Sequence, residues 1–449
     1  MLDFSGKTFR ESLDSNFWMR YPQQCIAFKW RSPSRSSVAF LCPIYFEKAH
    51  FESPVDFFLA DFYSDASFVT ATFDSWTNFF SALFHSKTSF TGTTFYSFVD
   101  FSSANFDSSV DFFGAAFHFD SHFSNATFSS GVSFWRAAFH SKADFWKATF
   151  DSLAYFKETT FNSTANFSMA TFESTADFSG ASFGPSANFK AAKFQGNIWF
   201  FNATLPDSLD FRHVTDVAKE IDFTLSYPPR GGDKCKIALF GADISKIKLS
   251  MELFELWFPA DTTIRTGDHP DTIISNISYD KRVSVYEQVL KKLKDEGLMQ
   301  SYEILDIEYR QLKYRHKGGI NWYVLNTFQY WWWNYGYNKE RVFLWSIIFW
   351  LIFSFVNSRL YCELNENVYS ITFLDKIQNN ELSKVKRVIY YLLQVVTYTA
   401  IVFFGLKMDV AKFKKGVIRQ HPWLFAYLMI VYIVGIVCLG FIVNIIFTL

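Results

Sequence analysis

Phenylalanine falls on a strict ruler between Phe40 and Phe200. One series runs Phe40, Phe51, Phe62, Phe73 and onward to Phe194, and a second runs Phe46, Phe57, Phe68, Phe79 and onward to Phe200. Each series steps by eleven without a gap, and the two interleave at six and then five. A fixed period of this kind is the mark of stacked units. An eleven-residue period also suits a right-handed helical supercoil. The residues between the rings oppose that reading: stretches such as Thr159 to Phe167 are rich in Ser, Thr and Asn, which favour turns and strands over helix interiors. The position two before each Phe is usually small, as at Ala60, Ala66, Ala104 and Ala170. Side chains two apart share one face of an extended segment. A small residue and a Phe therefore point inward together, a polar turn follows, and the pattern predicts one side of a square coil.

The segments Ala165-Asn166-Phe167-Ser168-Met169, Ala176-Asp177-Phe178-Ser179-Gly180 and Ala187-Asn188-Phe189-Lys190 resemble pentapeptide repeats of the A-(D/N)-(L/F)-x-x type. The resemblance implies an all-β right-handed quadrilateral β-helix. The alternation of five and six departs from the commonest form and predicts an extra residue, a bulge, at alternate corners. Two eleven-residue units make one coil, so the ruler predicts about seven coils and a rod roughly 35 Å long at about 4.8 Å per stacked strand. Phe40 is expected to stack on Phe62 and Phe46 on Phe68, as a core of aromatic ladders.

Net charge is zero overall, but residues 40–200 hold fifteen Asp/Glu against eight Lys/Arg, which leaves the remainder basic. The five cysteines, Cys25, Cys42, Cys235, Cys362 and Cys438, have no metal or redox spacing and are read as free thiols in a reducing compartment. The first residues lack a basic patch followed by an apolar run, so no cleavable signal is expected and the first domain is assigned to the cytoplasm. Residues 1–39 are read as a cap or first irregular coil, because a rod of this kind must cover its end. The β-helix is assigned to 40–260, with closing coils after Phe200 and a loop from Trp257 to Asn276. From about Lys281 the period changes to that of a helix. Val283, Tyr286, Val289, Leu290 and Leu293 form one stripe; Leu298, Tyr302, Leu305, Tyr309 and Leu312 form another. This predicts a helical pair over 280–320. The dense Trp and Tyr of 321–340 predict an interfacial aromatic helix.

Residues 341–449 are read as a membrane domain, with spans at about 341–358 and 423–449. The apolar stretch Ile389 to Leu406 leaves two readings open. As a full span it gives three crossings and puts Lys407, Lys412, Lys414, Lys415 and Arg419 in the cytoplasm. As a re-entrant pore segment over 389–406 it gives two crossings. Tyr335-Gly336-Tyr337 before a span, then Tyr390-Tyr391-Leu392-Leu393-Gln394 with a Thr-rich end, then a long glycine-containing last span, resemble the C-terminal two-span ion-channel domain found behind pentapeptide repeats in bacteria. The resemblance implies a homotetramer in the bacterial inner membrane. Thr397 and Thr399 would back a filter formed by Ile401, Val402, Phe403, Phe404 and Gly405, with Asp409 beyond it. Gly435 or Gly440 would let the inner helix bend, and Asn444 would ring the mouth. Both glycines equally suit close helix packing, and Asn444 a polar contact between helices. A potassium filter reads Thr-x-Gly-Tyr-Gly-Asp; here one glycine stands where two are expected, which departs from that pattern.

No catalytic set, zinc spacing or glycine-rich phosphate loop is present in the sequence, so neither an enzyme nor a cofactor is expected. The architecture resembles channel effectors of bacterial antiphage defence, including the Hailong type. This implies a sensor-gated pore, an oligonucleotide ligand and a partner nucleotidyltransferase that makes it. Such a ligand would meet Lys291, Lys292, Lys294, Arg310, Lys313, Arg315 and Lys317 sooner than the acidic rod; the same residues also read as a solvated helix face. The competing reading is a membrane-tethered binding scaffold with three spans and no conduction.

Overall fold

The computed structural model describes residues 1–13, 25–32, 35–259, 261–264, 272–275, 277–368, 384–405 and 417–448. Two compact units divide the chain, Met1–Asp306 and Ile307–Leu449.

The first unit is a β-solenoid of about 10 turns. Its strands are mostly two residues long, such as Thr72–Phe73, which pairs in parallel with His50–Phe51 on one side and Thr94–Phe95 on the other. Repetition at 22 residues lays like on like and builds four faces, of 11, 8, 10 and 9 strands among the described residues, parallel except for one N-terminal hairpin. Backbone hydrogen bonds run from coil to coil, as from Phe68 N–H to Ser89 O at 2.7 Å. Every ruler Phe is buried, and the predicted ladders form. Phe40 stacks on Phe62 with ring centroids 4.7 Å apart, and Phe46 on Phe68 at 5.2 Å. Neighbouring columns meet edge to face, as Phe79 meets Phe90 at 5.6 Å and 82°. Rings inside the stack thus have a stacked partner above and below, and most have a T-shaped partner beside them, the two arrangements aromatic quadrupoles prefer. The small residue two before a Phe is buried as expected, as at Ala60 and Ala66. Where Thr93 and Thr159 take that place, their hydroxyls donate to the carbonyls of Phe68 and Phe134 at 2.7 Å, which offsets the cost of burying them.

Two kinds of corner alternate. After each Phe of the second series the chain turns through a left-handed residue, as at Lys48, Leu59, Thr70 and Ser81, with φ near 55°. The bond from Ala49 N–H to Phe46 O at 3.0 Å closes that turn. The six-residue sides follow the other series and bend without one. The Asp or Asn before a Phe accepts the backbone N–H two residues on, as Asp56 does from Phe58 at 3.0 Å and Asn166 from Ser168 at 3.1 Å. That local bond explains the Asp/Asn preference of the repeat.

Residues before the ruler form the first irregular coil: β1 (Leu2–Asp3) pairs with Ile44–Tyr45, and β2 (Thr8–Phe9) with His50–Phe51. An antiparallel hairpin of β3 (Ile26–Ser32) and β4 (Arg35–Phe40) joins the next face. Its register sets Cys25 beside Cys42, with Cα atoms 5.0 Å apart, and the two form a disulfide. This corrects the reading of five free thiols: the pairing depends on a hairpin that cysteine spacing alone does not reveal. Cys235, Cys362 and Cys438 are free, and burial pushes the Cys235 thiol far up, which makes it unreactive.

After Phe200 the step lengthens, so that Ile198 pairs with Ile221, and the strands Cys235–Ala238 and Phe254–Leu256 close the solenoid. The stretch read as a loop holds a second hairpin, Asp261–Ile264 with Thr272–Ser275. Its two β-branched runs carry strand propensity that the polar residues between them obscure. The helices α1 (Tyr279–Asp295) and α2 (Met299–Lys317) follow as predicted, parted at Gly297 with φ 72°. Buried on α1 are Val285, Tyr286, Val289, Leu290 and Leu293. Val285 takes the place expected of Val283, which is half-buried.

The second unit is helical: α3 (Gly319–Trp333), α4 (Glu340–Asn367), α5 (Lys384–Phe403), the short α6 (Val417–Gln420) and α7 (Pro422–Thr448). Among the described residues α4 and α7 are long and apolar enough to cross a membrane; the apolar stretch of α5, Val388–Phe403, is shorter. Val342, Leu364, Tyr398, Val402, Leu428 and Val431 pack between them.

Candidate functional site

On the solenoid, one face is hollowed. Its outward column reads Tyr45, Ser67, Ser89, Asp111, Ser133 and Tyr155, one residue per coil. Small side chains in the middle and a tyrosine at each end leave a trough of about 550 Å³ that crosses six coils. Its polar groups are tied together: Ser67 donates to Glu47 at 3.0 Å, Ser89 to Thr91 at 3.0 Å, and Thr91 to Asp111 at 3.2 Å. The sequence does hold the signal, since reading every twenty-second residue outward, rather than every eleventh inward, exposes the small-residue column. On another face His85 bridges coils, with Nε2 3.0 Å from the buried Asp61 and Nδ1 2.6 Å from Asp107. This is a clamp across three coils, stacked under Tyr63 at 4.8 Å.

In the helical unit the first residues expected to form a filter, Ile401 to Phe403, lie in a helix. The helix α5 continues through Phe403, and its last carbonyls are taken: Ala400 O accepts from Phe404 N–H at 2.9 Å, and Val402 O from Gly405 N–H at 3.2 Å. A filter needs carbonyls turned toward an ion, and these face along the helix. Thr399 is fully buried. Its hydroxyl accepts from Asn357 Nδ2 at 2.9 Å and donates to Val395 O at 2.8 Å. Tyr427 OH donates to Asn357 Oδ1 at 2.8 Å. One satisfied polar network therefore joins α4, α5 and α7, and sequence reasoning missed Asn357 and Tyr427 altogether. Thr397 is half-buried; Ile401, Val402 and Phe403 are buried; Phe404 is half-buried. Gly405 ends α5 with φ 64°. Asp409, Leu406 and most of the basic loop fall outside the described residues, and Arg419 is exposed.

The expected gate residues divide as well. A Cβ on Gly435 would lie 1.5 Å from Phe403 O, so this glycine lets α7 press against the end of α5. A Cβ on Gly440 would meet nothing within 4 Å. Asn444 lies on an exposed part of α7.

Comparison with known proteins adds one finding. Residues 145–193 match the family described as pentapeptide repeats (9 copies). The first unit is a pentapeptide-repeat β-solenoid. No curated protein and no solved structure matches the chain. Within this pentapeptide-repeat protein the basic residues expected to hold an oligonucleotide are split. Lys291, Lys292 and Lys294 belong to the solenoid unit; Arg310, Lys313, Arg315 and Lys317 belong to the helical one. Lys292 is engaged by Ser245 O at 2.6 Å and Glu296 at 2.9 Å. Lys291 lines a hollow it shares with Asp243, Asp295 and Glu296, whose carboxylates oppose an anion. Arg310 donates to Tyr335 O at 3.3 Å, and Lys313 and Lys317 lie 4.0 Å over the rings of Tyr309 and Trp322. Lys294 and Arg315 are exposed.

Proposed function

We propose that this protein is a membrane-tethered binding scaffold: the pentapeptide-repeat solenoid presents the docking surface and the helical unit anchors it. The observation that carries the reading is the character of α4 and α7. Only 22% of the most apolar window of each is buried, and residues such as Leu344, Ile347, Leu351, Ile433 and Ile436 point outward. Apolar surface on that scale calls for a lipid or protein cover, and helices of 28 and 27 residues exceed the roughly 20 needed to cross a bilayer. The Cys25–Cys42 pair supports an oxidising side of the membrane for the solenoid, in place of the cytoplasm expected from the sequence.

A sensor-gated tetrameric pore in bacterial antiphage defence, controlled by an oligonucleotide, is the second reading. What favours it is the exposed apolar run of α5 around Leu392 and Leu393 together with the outward Asn444 on α7, which other copies of the chain could cover. The helical carbonyls at the end of α5 weigh against it. Recording from planar bilayers decides between the two. The scaffold predicts protein that resists alkaline extraction from membranes yet passes no current at any voltage, with or without added oligodeoxyadenylate. Discrete currents altered by Asn444→Leu would establish the pore instead.

A further inference from the structure

The helical unit holds a cavity of about 360 Å³ among α3, α4 and α7, bounded by Phe328, Trp331, Trp345, Phe349, Ile433 and Val437. That volume falls within the range of small-molecule sites, which begins at about 300 Å³. The surface it exposes is apolar. Of the three tryptophans that line it, Trp345 donates its indole N–H to Trp331 O at 2.9 Å, while the buried Trp332 Nε1 meets no partner among the described residues. A single indole donor falls short of the two to four partners a buried water takes, so the cavity suits hydrocarbon better than water. Empty space inside a packed unit costs stability in proportion to its volume. Phe328, Trp331, Ile433 and Val437 are also partly exposed, so the cavity opens onto the outward apolar surface of the same helices.

A cation lies close in sequence to its wall. Arg341 lies one turn before Trp345 on α4, a spacing that places both on one helical face. Its Nη1 donates to Tyr330 O at 3.3 Å, next in sequence to Trp331 of the wall. A guanidinium has five N–H donors, so that bond leaves capacity for a phosphate, which planar guanidinium recognises well. The adjacent Glu340 offsets part of the charge, which limits the preference for an anion without removing it.

We propose that this cavity holds one acyl chain of an anionic phospholipid whose phosphate lies against Arg341. The proposal rests on the membrane reading above and names the ligand of that unit. The test uses full-length protein in detergent, exchanged into mixed micelles with phosphatidylglycerol or phosphatidylcholine, and counts retained lipid by native mass spectrometry. The wild type is expected to retain phosphatidylglycerol in preference to phosphatidylcholine. Val437→Trp, which fills the mouth, lowers retention of both lipids about tenfold, a change of about 1.4 kcal/mol; Ile433→Trp, one turn away, is the second filling variant should the first fail to fold. Arg341→Gln removes the preference, lowering phosphatidylglycerol retention more than phosphatidylcholine retention. Equal retention by the wild type and a folded filling variant overturns the site, and so does an absence of headgroup preference in the wild type. Flotation of the wild type with phosphatidylglycerol/phosphatidylcholine vesicles separates the two levels. Protein that floats but retains no specific lipid sinks this proposal alone; protein that does not float sinks the membrane reading beneath it.

Discussion

The two units solve the problem of burying a chain in opposite ways. The solenoid repeats one solution: each coil adds the same rings, the same small residues and the same corner, and buried hydroxyls such as those of Thr93 and Thr159 bond straight to the carbonyl of a neighbouring coil. The helical unit uses each contact once. Its interior mixes aliphatic and aromatic side chains with the Asn357–Thr399–Tyr427 network, and its closest backbone approach rests on a single glycine. Damage to the solenoid should therefore be graded and much the same at any rung, and damage to the helical unit should depend sharply on position.

The largest effect is expected from Gly435→Val. A Cβ there would stand 1.5 Å from a backbone oxygen, and only backbone movement relieves it. A loss of more than about 4 kcal/mol should unfold the helical unit while the β-solenoid signal in circular dichroism persists. Gly440→Val, with open space around it, is the control and should cost about 1 kcal/mol or less. If the two variants behave alike, the contrast between close-packed and open positions on α7 is wrong.

Phe112→Ala comes next, at about 3–5 kcal/mol. Phe112 stacks on Phe90 and Phe134 at 4.9 and 4.8 Å, and Phe145 occupies the matching position one and a half coils on, with neighbours at 4.8 Å on both sides. The same substitution at Phe145 should cost the same within error, as measured by denaturant unfolding. A strong difference between the two would break the picture of equivalent rungs.

This equivalence explains what the sequence made legible. Thirty ring positions state one rule, so the period, the inward column, the stacking partners and the first irregular coil could all be read from residues alone. The outward trough followed from the same period but was hidden by attention to the rings. The Cys25–Cys42 bridge and the meeting of Asn357 with Thr399, 42 residues apart, were not legible. Each depends on a single tertiary approach that no repetition announces. The filter stretch was hard to read for a related reason: a Thr-rich apolar run ending in Gly405 has the composition of a pore loop and of an ordinary helix end, and its first residues, Ile401 to Phe403, lie in the helix.

A smaller effect is expected at the polar network. Asn357→Leu removes both of its bonds and should cost about 0.6–1.7 kcal/mol, the range for interhelical hydrogen bonds in membranes. Tyr427→Phe in that background should then cost little, because the two residues act on one network. Additive losses in a thermal-unfolding cycle would mean that the network is two separate contacts.

The smallest effect concerns pH and belongs to the solenoid. His118 stacks on His140 at 4.7 Å; partial burial, and then the neighbouring imidazole, hold its pKa below the usual histidine value. The folded state therefore binds this proton less readily than the unfolded one. The contribution is fully present above the unfolded pKa of about 6.5 and is lost as pH falls through the depressed folded value. Between pH 7 and pH 5 the wild-type solenoid should lose slightly more thermal stability than His118→Asn. An equal loss in both proteins would remove His118 from the account.

The most direct test of the account as a whole is labelling by a phospholipid that carries a photoactivatable group in its acyl chain, followed by peptide mapping. A lipid-anchored scaffold predicts adducts on the outward residues of α4 and α7, such as Leu351 and Ile433, and none on the solenoid faces between Phe40 and Phe200. Adducts spread along the solenoid, or an absence of adducts on both helices, would contradict it.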